Sequence, residues 1–406
     1  MGYKVIAGSV ADPLGFKASG IHCGIRRNRT KKDLGLIACD KVCDAAAIYT
    51  QNRVKGAPLK VTRAHLENGK AQAVICNSGN ANTCNADGVE IAESMCAAVA
   101  KALGIGENDV IVASTGVIGQ PLPLEPITSA IPALSKDLRK NGDTDAVEAI
   151  MTTDTRKKEM AVQFSLGGHT CTVGGIAKGS GMINPNMATM LCFITTDVDI
   201  NSEMLHEALL SCANNTFNMV SIDGDTSTND MLSILASGEA GNYRITKKGE
   251  DYGAFCEALE AVMTHLAREV ARDGEGATKL VECLVEGAPD LISARTVAKG
   301  IISSDLFKAA MFGADANWGR VLCAIGYCGA DVDVDKIDVS FESAGGRIDV
   351  CKNGAGVDFS EEDARNVLVR DEVRVIVGLK SGKVSATAWG CDLTYDYVKI
   401  NGDYRT

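Results

Sequence analysis

Two apolar periods interleave along the chain, and together they predict a mixed fold of the α/β or α+β class, with helices packed on β-sheets. Residues 253–272 place Phe255, Leu259, Val262, Leu266 and Val270 at spacings of four, three, four and four, which is one apolar face of a helix. Short apolar runs rich in β-branched residues, Val110–Ala113 and Val373–Val377 among them, read as strands. Segments of the two kinds follow one another through the whole sequence, and no internal repeat interrupts them.

Taken in order, Ala73–Cys76 is the first clear strand. A helix over 89–103 follows the turn Asp87-Gly88, with Val89, Ala92, Met95, Val99 and Leu103 on one face. The strand Val110–Ala113 runs through Ser114 and stops at Thr115-Gly116, with Gly119 close behind. Met190–Thr195 is a strand, and Asn201-Ser202 caps a helix that continues through Leu205, Leu209 and Cys212. After the long helix over 253–272 come the strands Val373–Val377 and Val384–Trp389. Polar, glycine-containing segments at 140–145 and 246–253 are candidate boundaries, though short for linkers.

At roughly 150 residues per domain, 406 residues suggest about two or three domains or one large α/β body. A composition of 46% hydrophobic and 23% charged residues is that of a soluble globular protein. Lys+Arg 41 against Asp+Glu 52 gives a net charge of −11, which argues against nucleic acid or an anionic membrane as partner, since both require a basic surface. The 15 cysteines are odd in number, form no C-x-x-C pair and lie at no zinc spacing, so no metal is expected. Cys76, Cys96, Cys192 and Cys323 sit in apolar stretches, where cysteine acts as a small hydrophobe, and a reducing compartment is the expectation. The first seven residues lack the apolar core of a signal peptide, and the run from Gly179 to Thr196 is broken by Asn184-Pro185-Asn186. A cytoplasmic location is therefore expected.

The commoner catalytic motifs, G-x-S-x-G, H-E-x-x-H and the P-loop, do not occur. Gly313 to Arg320 has P-loop-like glycine spacing without the Lys-Ser/Thr, and Asp223-Gly224-Asp225 lacks the Gly and Glu of a calcium loop and reads as a turn. Five histidines have no obvious catalytic partner and read as surface or satisfied core residues.

One block differs. From Lys178-Gly179-Ser180-Gly181 through Pro185 to Ala188-Thr189-Met190-Leu191, a Gly- and Pro-broken loop runs straight into a strand. A small residue followed by Thr at a strand entry lets the hydroxyl attack its own preceding carbonyl. An N-to-O shift and hydrolysis would then free Thr189 as an N-terminus whose α-amine, of pKa about 7.7–8.0, serves as base for the hydroxyl. Such a catalyst needs no histidine. The plainer alternative is a β-branched residue opening a strand. The strand end at Thr115-Gly116 offers a hydroxyl and an approachable N–H for an oxyanion hole, against the alternative of an ordinary strand-to-turn junction.

Together these segments closely resemble the ornithine acetyltransferase family, the bifunctional glutamate N-acetyltransferases of arginine biosynthesis. The likeness covers essentially the whole chain. It runs through Asn77-Ser78-Gly79-Asn80-Ala81-Asn82, Ser114-Thr115-Gly116-Val117-Ile118-Gly119, Met151-Thr152-Thr153-Asp154-Thr155, the Lys178–Leu191 block, Asp273-Gly274-Glu275-Gly276-Ala277-Thr278-Lys279 and Ile400-Asn401-Gly402-Asp403-Tyr404-Arg405-Thr406.

The resemblance implies the self-processing acetyltransferase and aminopeptidase superfamily architecture, with cleavage between Ala188 and Thr189 into an α piece, 1–188, and a β piece, 189–406. It implies Thr189 as nucleophile, Thr115 and Gly116 as oxyanion hole, and Thr152, Lys178, Thr189, Glu275, Asn401 and Thr406 as substrate contacts, with Thr153 the alternative to Thr152. The implied substrates are N-acetylornithine and glutamate, with no cofactor and with acetyl-CoA left open as a second donor. The implied assembly is a heterotetramer of two α and two β pieces. Lys178 and Glu275, read as lying in Gly-rich loops, would meet an α-carboxylate and a δ-ammonium respectively. Two other readings remain: an N-terminal-nucleophile aminopeptidase or amidase, and a non-catalytic amino-acid-binding protein.

Overall fold

The computed structural model describes residues 2–26, 30–184 and 190–403. Ala188, Thr189 and Thr406 lie outside the described residues. The chain forms two compact units, each drawn from three stretches: residues 1–179, 186–217 and 226–266 in the first, and 180–185, 218–225 and 267–406 in the second. The segments 140–145 and 246–253 lie inside the first unit and are not boundaries. Residues 143–150 fold as a helix, and 250–272 are one helix from the far side of the other segment.

The first unit holds a nine-stranded sheet. Its strands are β1 (Lys4–Ile6), β2 (Phe16–Ile21), β3 (Leu34–Tyr49), β4 (Lys70–Asn80), β5 (Val110–Val117), β6 (Lys158–Leu166), β7 (His169–Lys178), β8 (Leu191–Thr196) and, beyond the two-residue β9 (Val220–Ser221) of the other unit, β10 (Met231–Ala236). Their order is β1-β6-β7-β8-β10-β3-β4-β5, with β2 also on β3. The β8/β10 and β4/β5 pairs are parallel and the others antiparallel.

Side chains alternate across a strand, and here both faces are covered. Val74 and Cys76 of β4, with Ile111 and Ala113 of β5, join a core completed by Ala146, Val147 and Ile150 of the helix Asp143–Ile150. Ala73, Ile75, Val110 and Val112 point the other way, to Met95, Cys96 and Val99 of the helix Gly88–Leu103. Val89 is exposed, because the buried face of that helix runs through Ile91, Ala92, Met95, Cys96, Val99 and Ala100. The predicted cap at Asn201 is present: its side chain accepts from the Met204 N–H at 2.9 Å. All five apolar residues predicted for the long helix are fully buried. Gly175 of β7 leaves room for it, since a Cβ there would stand 3.0 Å from Leu266 Cδ1.

The second unit holds a seven-stranded sheet. With β9 it comprises β11 (Leu280–Ala288), β12 (Asp338–Ser343), β13 (Gly346–Lys352), β14 (Ala355–Gly356), β15 (Glu372–Gly378) and β16 (Val384–Cys391), in the order β14-β13-β12-β15-β11-β16-β9. The helix Leu291–Ile302 packs on β11 and β16. The P-loop-like stretch is the junction of two helices, with Asn317 capping the second at Arg320 N–H, 3.1 Å. Cys76, Cys96 and Cys192 are buried, whereas Cys323 is exposed on the outer side of that helix. His65 is a satisfied core histidine, its Nδ1 2.8 Å from Val110 O and its Nε2 3.2 Å from Glu93. No described helix is long and apolar enough to cross a membrane. Among the described residues no group of three or more His, Cys, Asp or Glu could hold a metal ion.

Candidate active site

The predicted oxyanion residues stand side by side on β5. The strand does not stop at Thr115-Gly116 but continues to Val117, because β4 runs parallel beside it to Asn80 and keeps the ladder going: Ser78 is level with Thr115 and Gly79 with Gly116. Gly116 has φ +129°, and a Cβ there would lie 2.5 Å from Gly79 C and 2.7 Å from Asn80 N, so only glycine fits. The segment is braced by Asn229, whose Nδ2 donates to Ala81 O at 2.6 Å and to Ser114 O at 2.9 Å while its Oδ1 accepts from Thr83 at 2.5 Å. The loop after β2 closes on the same place: the Arg26 guanidinium donates to Ser78 O and to Met151 O.

Thr152 and Lys178 are brought together by a residue the sequence left without a role. Asp154, fully buried, accepts from the Thr152 N–H at 2.9 Å and the Lys158 ammonium at 2.7 Å. It also accepts from the Gly179 N–H at 2.7 Å and stands 3.9 Å from Lys178 Nζ. Lys178 is not in a loop, as expected, but is the last residue of β7, held there by its ladder partner Leu191, and it is buried. Burial alone would push the Asp154 carboxyl up; the charges of Lys158 and Lys178 and the Gly179 hydrogen bond win and hold it well below the usual carboxylate range. For Lys178 burial wins: its ammonium lies below the usual lysine range, with Asp154 the first group opposing that.

Met190, the first described residue after 184, is fixed by its carbonyl, which accepts from the Met231 N–H at 3.0 Å. Asp230 is buried beside it, and burial pushes its carboxyl well above the usual range.

In the second unit, Glu275 and Asn401 meet directly, Asn401 Nδ2 donating to Glu275 Oε2 at 2.8 Å and to Tyr397 O at 3.0 Å. The Glu275 N–H donates to Ser180 O at 2.8 Å, and Gly181 lies so close that a Cβ would stand 2.4 Å from the Glu275 carboxylate. Asp223 is the turn residue expected rather than part of a calcium loop: its carboxylate accepts from the N–H groups of Met182 at 2.6 Å and Ile183 at 2.9 Å. Asn401 lies on the helix Tyr395–Asp403.

Asp154, Asn229 and Asp223 were not legible as site-building residues, because their partners are backbone groups or distant in sequence. The available signal was weak: a carboxylate within a run of threonines four residues before Lys158, and a Thr-Ser-Thr-Asn-Asp run just before β10.

Residues 17–406 match the ArgJ family. The arginine biosynthesis bifunctional protein ArgJ of Caldanaerobacter subterraneus subsp. tengcongensis is 49% identical over 404 residues, a match covering 99% of this chain and 100% of the relative. The protein of the same name from Symbiobacterium thermophilum is 51% identical over 403 residues, 99% of either chain. Among solved structures, the arginine biosynthesis bifunctional protein ArgJ of Bacillus halodurans matches with a TM-score of 0.51 and 48% identity, covering 53% of this chain and 100% of that one. At such identity over such a length, the chain belongs to the ArgJ family, the acyltransferases of arginine biosynthesis.

Proposed function

We propose that the chain is a self-processing glutamate N-acetyltransferase that moves an acetyl group from N2-acetylornithine to glutamate through an acetyl-threonine at Thr189, in the cyclic arginine pathway. In maturation, Thr189 Oγ attacks the Ala188 carbonyl, the C–N bond breaks, and water hydrolyses the ester to leave a carboxylate at Ala188 and a free amine and hydroxyl at Thr189. In turnover, Thr189 Oγ attacks the acetyl carbonyl while its α-amine takes the proton. Thr115 and Gly116 stabilise the oxyanion, and ornithine departs with that proton. Glutamate's amine then attacks the ester, releasing N-acetylglutamate and restoring the hydroxyl. Thr152, Lys178, Glu275, Asn401 and Thr406 bind the substrates, Lys178 taking the α-carboxylate and Glu275 the ornithine ammonium. Acetyl-CoA is a second donor to the same threonine, and the mature protein holds two α and two β pieces.

The observation that carries this reading is one of coverage. Curated relatives match this chain from end to end, yet the solved Bacillus halodurans chain, matched in full, spans only 53% of it. A β piece starting at Thr189 has 406 − 188 = 218 of the 406 residues, which is that share. The fold is compatible with such a cut. β8 and β10 follow position 189 and are hydrogen-bonded to β7 and β3, which precede it, so the pieces remain one sheet.

The test is intact mass under denaturing conditions with N-terminal sequencing, alongside assay of acetylglutamate formed from acetylornithine and glutamate. Two pieces, the larger beginning Thr-Met-Leu-Cys, and loss of turnover in Thr189→Ala by a factor on the order of 10⁴ or more are expected. A single uncut chain, or a Thr189→Ala protein that still turns over, overturns the nucleophile. Equal consumption of acetylornithine with and without glutamate would mean hydrolysis rather than transfer. Acetylglutamate formed from acetyl-CoA above the Thr189→Ala background is the expected sign of the second donor.

A further inference from the structure

Four groups converge on one buried carboxylate in the first unit: the Thr152 N–H at 2.9 Å, the Lys158 ammonium at 2.7 Å, the Gly179 N–H at 2.7 Å and the Lys178 ammonium at 3.9 Å. The Thr152 hydroxyl is also within reach, at 3.4 Å. Two of these residues, Thr152 and Lys178, are substrate contacts in the proposed function, and Gly179 opens the loop that leads toward position 189. A carboxylate with this many donors is not serving as a base, since every proton around it is already directed at it. Its role is to fix where those donors stand.

We propose that Asp154 is the positioning residue of the α-carboxylate subsite: it sets the Thr152 backbone and the Lys178 ammonium in place to grip the one group that acetylornithine and glutamate share. This rests on the reading of Lys178 as a substrate contact. Lys178, at the end of β7, is faced by Asp154 from the turn before β6, Lys158 from β6, Asp230 from the residue before β10, Arg26 from the loop after β2 and the buried Cys76 thiol from β4. Burial, Lys158 and Arg26 all favour its neutral form, while Asp154 and Asp230 oppose them. Burial pushes the Asp230 carboxyl well up and so favours its neutral form, whereas Asp154 is held well below the usual range, so the carboxylate that chiefly favours the charged form of Lys178 is that of Asp154.

The experiment measures kcat and KM for both substrates across pH in the full-length, matured protein, comparing the parent with Asp154→Asn and with Asp154→Asn/Lys158→Met. The double variant removes the buried ion pair as a unit, so it keeps the test alive if the single variant does not fold. The expected result is a KM raised on the order of tenfold for acetylornithine and for glutamate alike, the size of one charge-assisted hydrogen bond lost, with kcat little changed. In Asp154→Asn the basic limb of kcat/KM is expected to move to lower pH, because Lys178 loses its proton sooner without Asp154; in the double variant the loss of the Lys158 charge offsets this, and the KM values carry the test.

An unshifted pH profile in Asp154→Asn overturns the inference, and so does a fall in kcat with KM intact in either variant. A separate arm isolates the underlying reading. If Lys178→Met leaves both KM values unchanged, Lys178 is not a substrate contact and the subsite assignment itself fails. If Lys178→Met raises them while the Asp154 variants do not, only the role of Asp154 fails.

Discussion

In the first unit the buried ammonium of Lys158 meets a carboxylate, Asp154, at 2.7 Å, and Lys178 stands 3.9 Å from the same group. In the second unit the ammonium groups of three lysines reach backbone carbonyls instead. Lys279 donates to Met311 O; Lys299 to Val220 O and, at 2.9 Å, to Asn218 O; Lys308 to Ile222 O and, at 2.9 Å, to Cys391 O. A carbonyl is a dipole and satisfies hydrogen-bonding capacity without cancelling charge, whereas a carboxylate does both. The first arrangement suits a place where positive charge must be presented to a ligand. The second suits a tie between backbone segments: Lys308 fastens the segment ahead of Asp223, which holds Met182 and Ile183, to the end of β16.

The largest effect should come from splitting the ion pair. Asp154→Asn leaves the buried Lys158 ammonium facing a neutral amide and the Arg156 carbonyl, 3.3 Å away, and breaking a buried pair from one side costs about 3–5 kcal/mol. Denaturant unfolding should show this as a lower midpoint with little change in slope. Adding Lys158→Met should return most of the loss, because an apolar residue of similar volume replaces the charge. A double variant no more stable than Asp154→Asn would mean that Asp154 stabilises the fold through Thr152 and Gly179 alone, and the comparison between the units would fail.

Lys308→Met tests the other side. It keeps the stem in place and takes the donor from two carbonyls, for an expected loss of about 2–3 kcal/mol. Here a second substitution should restore little, since two of the acceptors are backbone carbonyls and the Cys391 sulfur, at 3.5 Å, is uncharged. A compensating partner found by a suppressor screen would show that the lysine was balancing a charge and not tying two segments together.

These two cases also mark how far the sequence could be read. The helix over 253–272 and the cap at Asn201 were legible because their information is local, a repeat of 3.6 residues and one side chain reaching three residues on. On the helix Gly88–Leu103, Ala92, Met95 and Val99 are buried as the spacing predicts, whereas Val89, in the first turn, is exposed. Strand order was not legible at all. β10 lies between β8 and β3 through contacts that span the chain, and nothing in a short window states that. Of the proposed site residues, Thr115 and Gly116 are legible from the strand end and Thr152, Lys178, Glu275 and Asn401 from the resemblance, whereas the groups that hold them are not. Asn229 braces β5 through carbonyls 115 and 148 residues away, and Asp154 looks in sequence like any surface acid. Residues that touch a substrate fall in motifs, while residues that aim them are identified by what surrounds them in space.

The most gradual effect is a difference in pH dependence, and Lys299 supplies it. The residue as a whole is only partly buried, but its ammonium is enclosed, and burial pushes its pKa down from 10.5 to about 7. Between those two values the unfolded chain holds a proton that the folded chain has given up. Stability from this group therefore rises as the pH climbs from about 7 toward 10.5 and is flat below that window. Lys299→Met should lack this rise, so the gap in thermal midpoint between parent and variant should widen in the parent's favour as the pH is raised. Lys178, although also displaced downward by burial, is opposed by Asp154, so Lys178→Met should show a weaker dependence over the same range. If the two variants respond alike, Asp154 does not hold up the pKa of Lys178.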